Sequence, residues 1–308
     1  MTGERKPRTK LSSSLAPRKA PKPLVGQTVL DRYLVERELA SGSMGKVFTG
    51  RHVQLGRPVA IKVMHEHLAG ERVLIERFRR EGRVAGRLAH PNIVPVFDVG
   101  ALADGRPVMV MELVEGISFA DVMTQPMPRA RMFTLLGQIL DGLGHAHEMG
   151  LVHRDLKPDN IIVEAGDVPR IADFGIAVLR GTEEEQQKLT GTGVIVGTPL
   201  YMAPEQAKAE AVDHRADLYA FGIILYELLA GTQPFTGTAM EVASTKIDHD
   251  PPRIAGLEPA LDRYLWKLIA RDPAARFQTA REAREALEQI ASTDIEKALA
   301  VISLPRPR

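Results

Sequence analysis

The apolar positions change period partway along the chain. From Tyr33 to Met111 they come in short β-rich runs, Tyr33-Leu34-Val35, Lys46-Val47-Phe48, Val59-Ala60-Ile61 and Pro107-Val108-Met109-Val110, with turn residues between them. That spacing predicts a small, mostly antiparallel sheet. One segment breaks the pattern: from about Glu71 to Leu88, the residues Val73, Leu74, Phe78, Ala85 and Leu88 fall at helical spacing, and Pro91 ends the run. Beyond Glu112 the period is helical throughout. Met132, Leu135, Leu136, Ile139, Leu140 and Leu143 step by three and four, and Leu261, Leu265, Leu268 and Ile269 form another core-facing stripe. Leu218, Phe221, Leu225, Leu228 and Leu229 do likewise inside an almost wholly apolar segment, which predicts a buried central helix. The pattern describes an α+β chain: a small antiparallel β lobe carrying one helix, joined near Leu113 to Gly116 to a larger, mainly α lobe.

Composition narrows the function classes. With 308 residues, 44% of them hydrophobic, the chain can bury a multilayer core. The absence of cysteine excludes disulfides, thiolate zinc sites and a cysteine nucleophile, and permits a cytoplasmic setting. The longest apolar run, Leu218 to Tyr226, is too short to span a membrane, so no transmembrane segment is expected. Charge is uneven: residues 1–23 hold seven Lys or Arg against one acid, while the remainder holds 33 basic against 38 acidic groups. Rich in Pro and Ser as well, residues 1–27 read as a disordered basic tail, able to solubilise the chain or to attract an anionic partner.

The candidate chemistry begins between two predicted strands. In Leu39-Ala40-Ser41-Gly42-Ser43-Met44-Gly45-Lys46-Val47, residues without bulk allow backbone N–H groups to approach phosphates, a composition that an ordinary glycine-rich hairpin shares. Seventeen residues past Gly45 comes Lys62, which strand alternation sends to the apolar side, where an ammonium needs an anionic partner. Glu81, on the lone helix of the β lobe, is the expected partner. Farther on, His153-Arg154-Asp155-Leu156-Lys157-Pro158-Asp159-Asn160 gathers a carboxylate, an ammonium and an amide, and Asp173-Phe174-Gly175 follows thirteen residues past Asn160. His65-Glu66-His67 lacks the spacing of a zinc pair and reads as a solvated turn; His145 and His147 read as packing or capping residues, and no structural metal is assigned.

Taken in order, these segments resemble the eukaryotic-like (Hanks-type) protein kinases over roughly Tyr33 to Ile290. The resemblance implies a two-lobed kinase fold over residues 28–292, with an N-lobe at 28–112, a hinge at 113–116, a C-lobe at 117–292, and an extension at 293–308. It also implies roles. Asp155 handles the substrate hydroxyl proton, Lys157 steadies the transferred phosphoryl, and Asn160 with Asp173 holds Mg²⁺, or Mn²⁺ in its place. Lys62, oriented by Glu81, meets the ATP phosphates; Leu39, Ala40, Ser41, Gly42, Ser43, Met44, Gly45, Val47, Ala60, Glu112 and Val114 line the nucleotide site. Met111 guards the back of the adenine slot. Glu205 pairs with Arg276, and Asp217 braces the catalytic loop.

Lys157 and Gly197-Thr198-Pro199-Leu200-Tyr201 follow the Ser/Thr pattern, with Thr198 on the substrate platform, and the local texture is nearest to the bacterial Pkn-like branch. Such kinases often continue into a membrane helix and a sensor domain, so the chain reads as a soluble member or as one that stops early. Protein substrates, autophosphorylation at Thr190 and Thr192, and a transient homodimer for that reaction are implied in turn. The one departure is Ala40, where the family places glycine; its methyl removes no phosphate-facing N–H. A nucleotide-binding scaffold without activity would need a missing polar residue, and a small-molecule kinase would not need the 32 residues that separate Asp173 from Glu205.

Overall fold

The structure, a computed structural model, describes residues 23–42, 45–66, 72–174 and 199–302. The small lobe is built on a six-stranded antiparallel sheet of β1 (Thr28–Val29), β2 (Tyr33–Ser41), β3 (Gly45–His52), β4 (Pro58–Met64), β5 (Val96–Ala101) and β6 (Pro107–Glu112), in the order β1-β2-β3-β4-β6-β5. Alternation along β4 divides its side chains between two cores. Val59, Ile61 and Val63 enter one apolar cluster with Val35, Phe48, Val108 and Val110, whereas Ala60 and Met64 enter another with Phe78, Val94, Met109 and Met111. Lys62 therefore shares a face with Ala60 and Met64. Phe78 belongs to α1 (Arg72–Ala85), the lone helix expected in this lobe, and its burial docks that helix on the sheet.

Two boundaries fall elsewhere than expected. Residues 23–27 belong to the folded lobe: Gly26 N–H donates to Val35 O at 2.8 Å, Val35 N–H to Gln27 O at 2.9 Å, and Leu24 packs on the sheet core. Residues 1–22 lie outside the described residues. At the other end, the last helix runs from Ala280 to Ile302 and crosses position 293 without interruption.

The large lobe packs α2 (Phe119–Met123), α3 (Arg129–Glu148), α4 (Pro204–Ala207), α5 (Arg215–Ala230), α6 (Ala239–Asp248), α7 (Pro259–Leu268) and α8 (Ala280–Ile302). As its apolar run predicts, α5 is buried along almost its whole length, from Ala216 to Tyr226, and Gly231 in the left-handed conformation (φ 69°) caps it. Gly222 lets α5 approach its neighbour: a Cβ there would stand 2.6 Å from Ile269 Cγ2. Helical periodicity hid a second, three-stranded sheet, β7 (Gly116–Ser118), β8 (Ile161–Glu164) and β9 (Val168–Ile171), whose strands are too short to show a period. At the cleft between the lobes, Ile171 of this sheet bridges Ile93, and Ala172 packs against the cluster of Ala60 and Met111. Arg170 of β9 ties the lobes together, bonding Glu164 at 3.0 Å and Glu112 of β6 at 2.6 Å.

Candidate active site

The small-lobe side of the cleft starts at the β2–β3 hairpin. Ala40 pairs with Val47 and Ser41 with Lys46, and Gly42 N–H donates to Gly45 O at 2.9 Å. Gly45 is dictated by packing, since a Cβ there would stand 2.3 Å from Val63 O of β4. Ser43 and Met44 lie outside the described residues. Beneath the hairpin, Ala60 and Met111 are buried in a cluster against which Val47, Leu113, Val114 and Ala172 pack, so both lobes and the connecting segment contribute to one apolar cluster. Leu39 is half exposed on β2. The Glu112 carboxylate is engaged by Arg170 and, at 3.7 Å, by Arg57, while its backbone N–H donates to Pro95 O at 3.0 Å. One contact was not anticipated: His65 Nε2 hydrogen-bonds Gly42 O at 2.8 Å, tethering the glycine-rich turn to the segment after β4.

Lys62 is buried, with 9% exposure, and its Nζ bonds Asp173 Oδ2 at 2.7 Å across the cleft. The Glu81 side chain, the partner expected from sequence, lies outside the described residues. Asp173 itself sits at φ 66°, and Arg154 at φ 62°. Left-handed backbone at two non-glycine residues is strain of the kind that persists only where surrounding contacts over-determine it.

Those contacts converge on the loop of residues 153–160. Asp217 of α5, 1% exposed, accepts from the backbone N–H of His153 (2.8 Å) and Arg154 (2.7 Å), and its Oδ2 lies 2.8 Å from His147 Nε2. Burial would raise its pKa, but the His147 hydrogen bond, the neighbouring imidazoles and the His153 N–H outweigh burial and hold the carboxyl below its usual range. His153, fully buried, reaches Ala172 O with Nε2 and meets the Phe174 ring edge-on at 4.7 Å. Asn160 Nδ2 donates to Asp155 O at 2.8 Å, so the amide oxygen is the atom left for a cation. Lys157 Nζ stands 3.9 Å from Asp155 Oδ2. Asp155, Lys157, Asn160, Asp173 and Lys62 thus share one cleft. Two oxygen-bearing side chains suit a hard cation that keeps several waters and phosphate oxygens as further ligands, and among the described residues no group of three or more His or acidic side chains could enclose a metal.

Beside the loop, the segment Leu200–Glu205 is held from several directions. Arg276, 1% exposed, bonds both Glu205 oxygens at 2.7 Å and spends its remaining donors on Ala270, Arg215 and Arg271 carbonyls. This is the pairing expected from sequence. Gln206 was not expected to act: it accepts from Ala203 N–H and donates to Arg154 O at 2.9 Å. Tyr201 O–H donates to Glu227 at 2.6 Å, and burial together with that carboxylate raises its pKa. Thr190, Thr192 and Thr198 lie outside the described residues.

The family profile described as "Protein kinase domain" matches residues 33–290. Serine/threonine-protein kinase PknL of Mycobacterium tuberculosis is 41% identical over 295 residues, covering 93% of this chain and 71% of PknL. Pkn3 of Myxococcus xanthus is 36% identical over 279 residues, and the chain spans about half of its length (51%). Among solved structures, the M. tuberculosis PknI kinase domain superposes with a TM-score of 0.71 at 30% identity, covering 88% of this chain and all of that one.

Proposed function

This chain belongs to the protein kinase family, and on that premise we propose that it transfers the γ-phosphoryl group of ATP, with Mg²⁺, to serine and threonine hydroxyls of proteins. The observation that supports this most is the convergence of Lys62, Asp155, Asn160 and Asp173 on one cleft, joined by the 2.7 Å Lys62–Asp173 and 2.8 Å Asn160–Asp155 contacts. Phosphoryl transfer asks the protein for positioning and charge neutralisation rather than covalent chemistry. Val47, Ala60, Met111 and Val114 offer apolar side chains against which a purine would pack. Lys62 orients phosphate oxygens, exchanging Asp173 for them in part. Asn160 and Asp173 would hold the cation, which would supply charge neutralisation when bound; Mn²⁺ would accept the same oxygen ligands. Asp155 orients and accepts the hydroxyl proton, and Lys157 neutralises charge beside it.

Control by autophosphorylation forms part of the same proposal. Among the described residues, the Arg154 guanidinium has no carboxylate partner, while its backbone is fixed by Asp217 and Gln206. A phosphate on Thr190 or Thr192 adds roughly −1.5 to −2 charge and three acceptor oxygens, which a prepositioned arginine binds by charge-assisted hydrogen bonds. A transient homodimer would serve that reaction in trans. The basic tail would take an anionic partner. No helix among the described residues is long and apolar enough to cross a membrane, and a cytoplasmic location is part of the proposal.

The test is transfer of labelled phosphate from ATP to a basic protein, with divalent cation removed by chelation and restored. Label on Ser or Thr, lost without the cation and recovered with Mg²⁺, is the expected result; nucleotide binding with no transfer would make this chain a scaffold. Mass spectrometry after incubation with Mg²⁺-ATP should find phosphate on Thr190 or Thr192, and the Thr190→Ala, Thr192→Ala double variant should lose most activity toward proteins.

A further inference from the structure

Lys246 lies on α6, four residues after Val242, on the helix face that Val242 and Ala243 bury. Its exposure is 0%, and among the described residues no carboxylate forms an ion pair with it. Its Nζ instead donates to Leu200 O and, at 3.0 Å, to Met202 O, with the Tyr219 and Phe235 rings each 5.5 Å away. An ammonium without a counter-charge in such a place is costly, and burial pushes its pKa down to about 7. An apolar side chain would fill the space without that cost. What the lysine adds is a set of donors aimed at two carbonyls.

Both carbonyls belong to the short stretch between Thr198 and Ala203-Pro204-Glu205. Arg276, which grips Glu205 at the far end of that stretch, also stands over Tyr219, at 4.9 Å from its ring. The stretch is therefore strapped at both ends by cations that converge on one tyrosine. We infer that Lys246 is a positioning residue for the peptide substrate, fixing from beneath the backbone of Leu200–Met202 on which the substrate chain beside the phosphorylated hydroxyl rests. The inference rests on the kinase reading of this segment and adds to it the residue that sets the platform.

Lys246→Met keeps the length and apolar stem and removes the donors. It should raise the peptide KM by about tenfold, the equivalent of ~1.4 kcal/mol, leaving kcat at saturating peptide and the ATP KM within about twofold. Backbone amides of residues 200–203 should exchange faster with solvent, with those of the catalytic loop unchanged. Lys246→Gln, which keeps an N–H donor without the charge, should fall between wild type and Lys246→Met. Unchanged peptide KM and exchange in folded Lys246→Met would overturn the inference, as would parallel losses in both KM values and kcat. If neither variant folds, the lysine belongs to the core and the inference also fails. A wild-type protein that transfers nothing to any peptide would instead defeat the kinase reading, and the exchange measurement would still report whether Lys246 holds the strap.

Discussion

Two lysines buried on opposite sides of the cleft are held in contrasting ways. Lys62, on the small-lobe side, bonds a carboxylate that comes from 111 residues away on the other lobe. Lys246, on the platform side, bonds two neutral carbonyls and is walled by two rings. A carboxylate met across a cleft can be traded for another anion, so the Lys62 contact suits a site whose occupant comes and goes. Backbone carbonyls in a closed core have no competitor. The same division runs through the rest of the molecule: the 153–160 loop and the Leu200–Glu205 segment are secured by Asp217, Gln206 and Arg276, each buried or partly buried and each bonded several times, while on the small-lobe side the described contacts at the cleft are a glycine hairpin, a histidine tether and the Lys62–Asp173 ion pair.

The largest effects should break function on both sides of the cleft without breaking the fold. Asp155→Asn should lower kcat by about 10²- to 10⁴-fold, the range for a lost general base, with ATP affinity unchanged in equilibrium binding. Lys62→Met should cost a comparable factor in kcat/KM and keep a cooperative thermal transition close to that of wild type. If Lys62→Met unfolds the protein, Lys62 is a permanent fixture and the contrast with Lys246 collapses.

Next in size is a loss of stability confined to the platform side. Arg276→Met leaves Glu205 buried and uncompensated, and breaking a buried pair from one side costs on the order of 3–5 kcal/mol. Denaturant midpoints should show that loss for Arg276→Met and a loss of no more than about 1 kcal/mol for Lys62→Met, whose Asp173 partner retains access to water. Equal losses for the two variants would mean that both sides of the cleft are built alike.

Which of these parts the sequence disclosed follows from how each is encoded. Strand alternation sent Lys62 to the apolar side, and the 153–160 and 173–175 runs are local strings, so their residues could be read without coordinates. The Glu205–Arg276 and Asp217 roles came through the family resemblance, and the structure shows both contacts. His65–Gly42, Gln206–Arg154 and Lys246–Leu200 were not legible, because each joins a side chain to a distant backbone atom, and a carbonyl leaves no mark in a sequence. Lys246 did carry one faint signal: a lysine four residues past Val242, on an otherwise apolar helix face. The β7–β9 sheet was hidden by brevity, as strands of three or four residues display no period.

The last predicted effect is a pH dependence at Lys246. Burial brings Lys246 from its ordinary 10.5 down to about 7 in the folded chain. Between those values the unfolded chain binds a proton that the folded chain does not, so this group makes stability rise with pH across that window, by at most ~1.4 kcal/mol per pH unit. Below pH 7 both states carry the proton, and the penalty for burying the charge is fully present; above 10.5 neither carries it, and the contribution levels off. Other groups also titrate in this range, so the informative quantity is the difference between wild type and Lys246→Met, taken from denaturant unfolding at a series of pH values from 6 to 10. Wild type should gain on the variant as pH rises from about 7. A flat difference for Lys246→Met would mean that the lysine stays protonated throughout, held by its two carbonyls and two rings more firmly than burial weakens it.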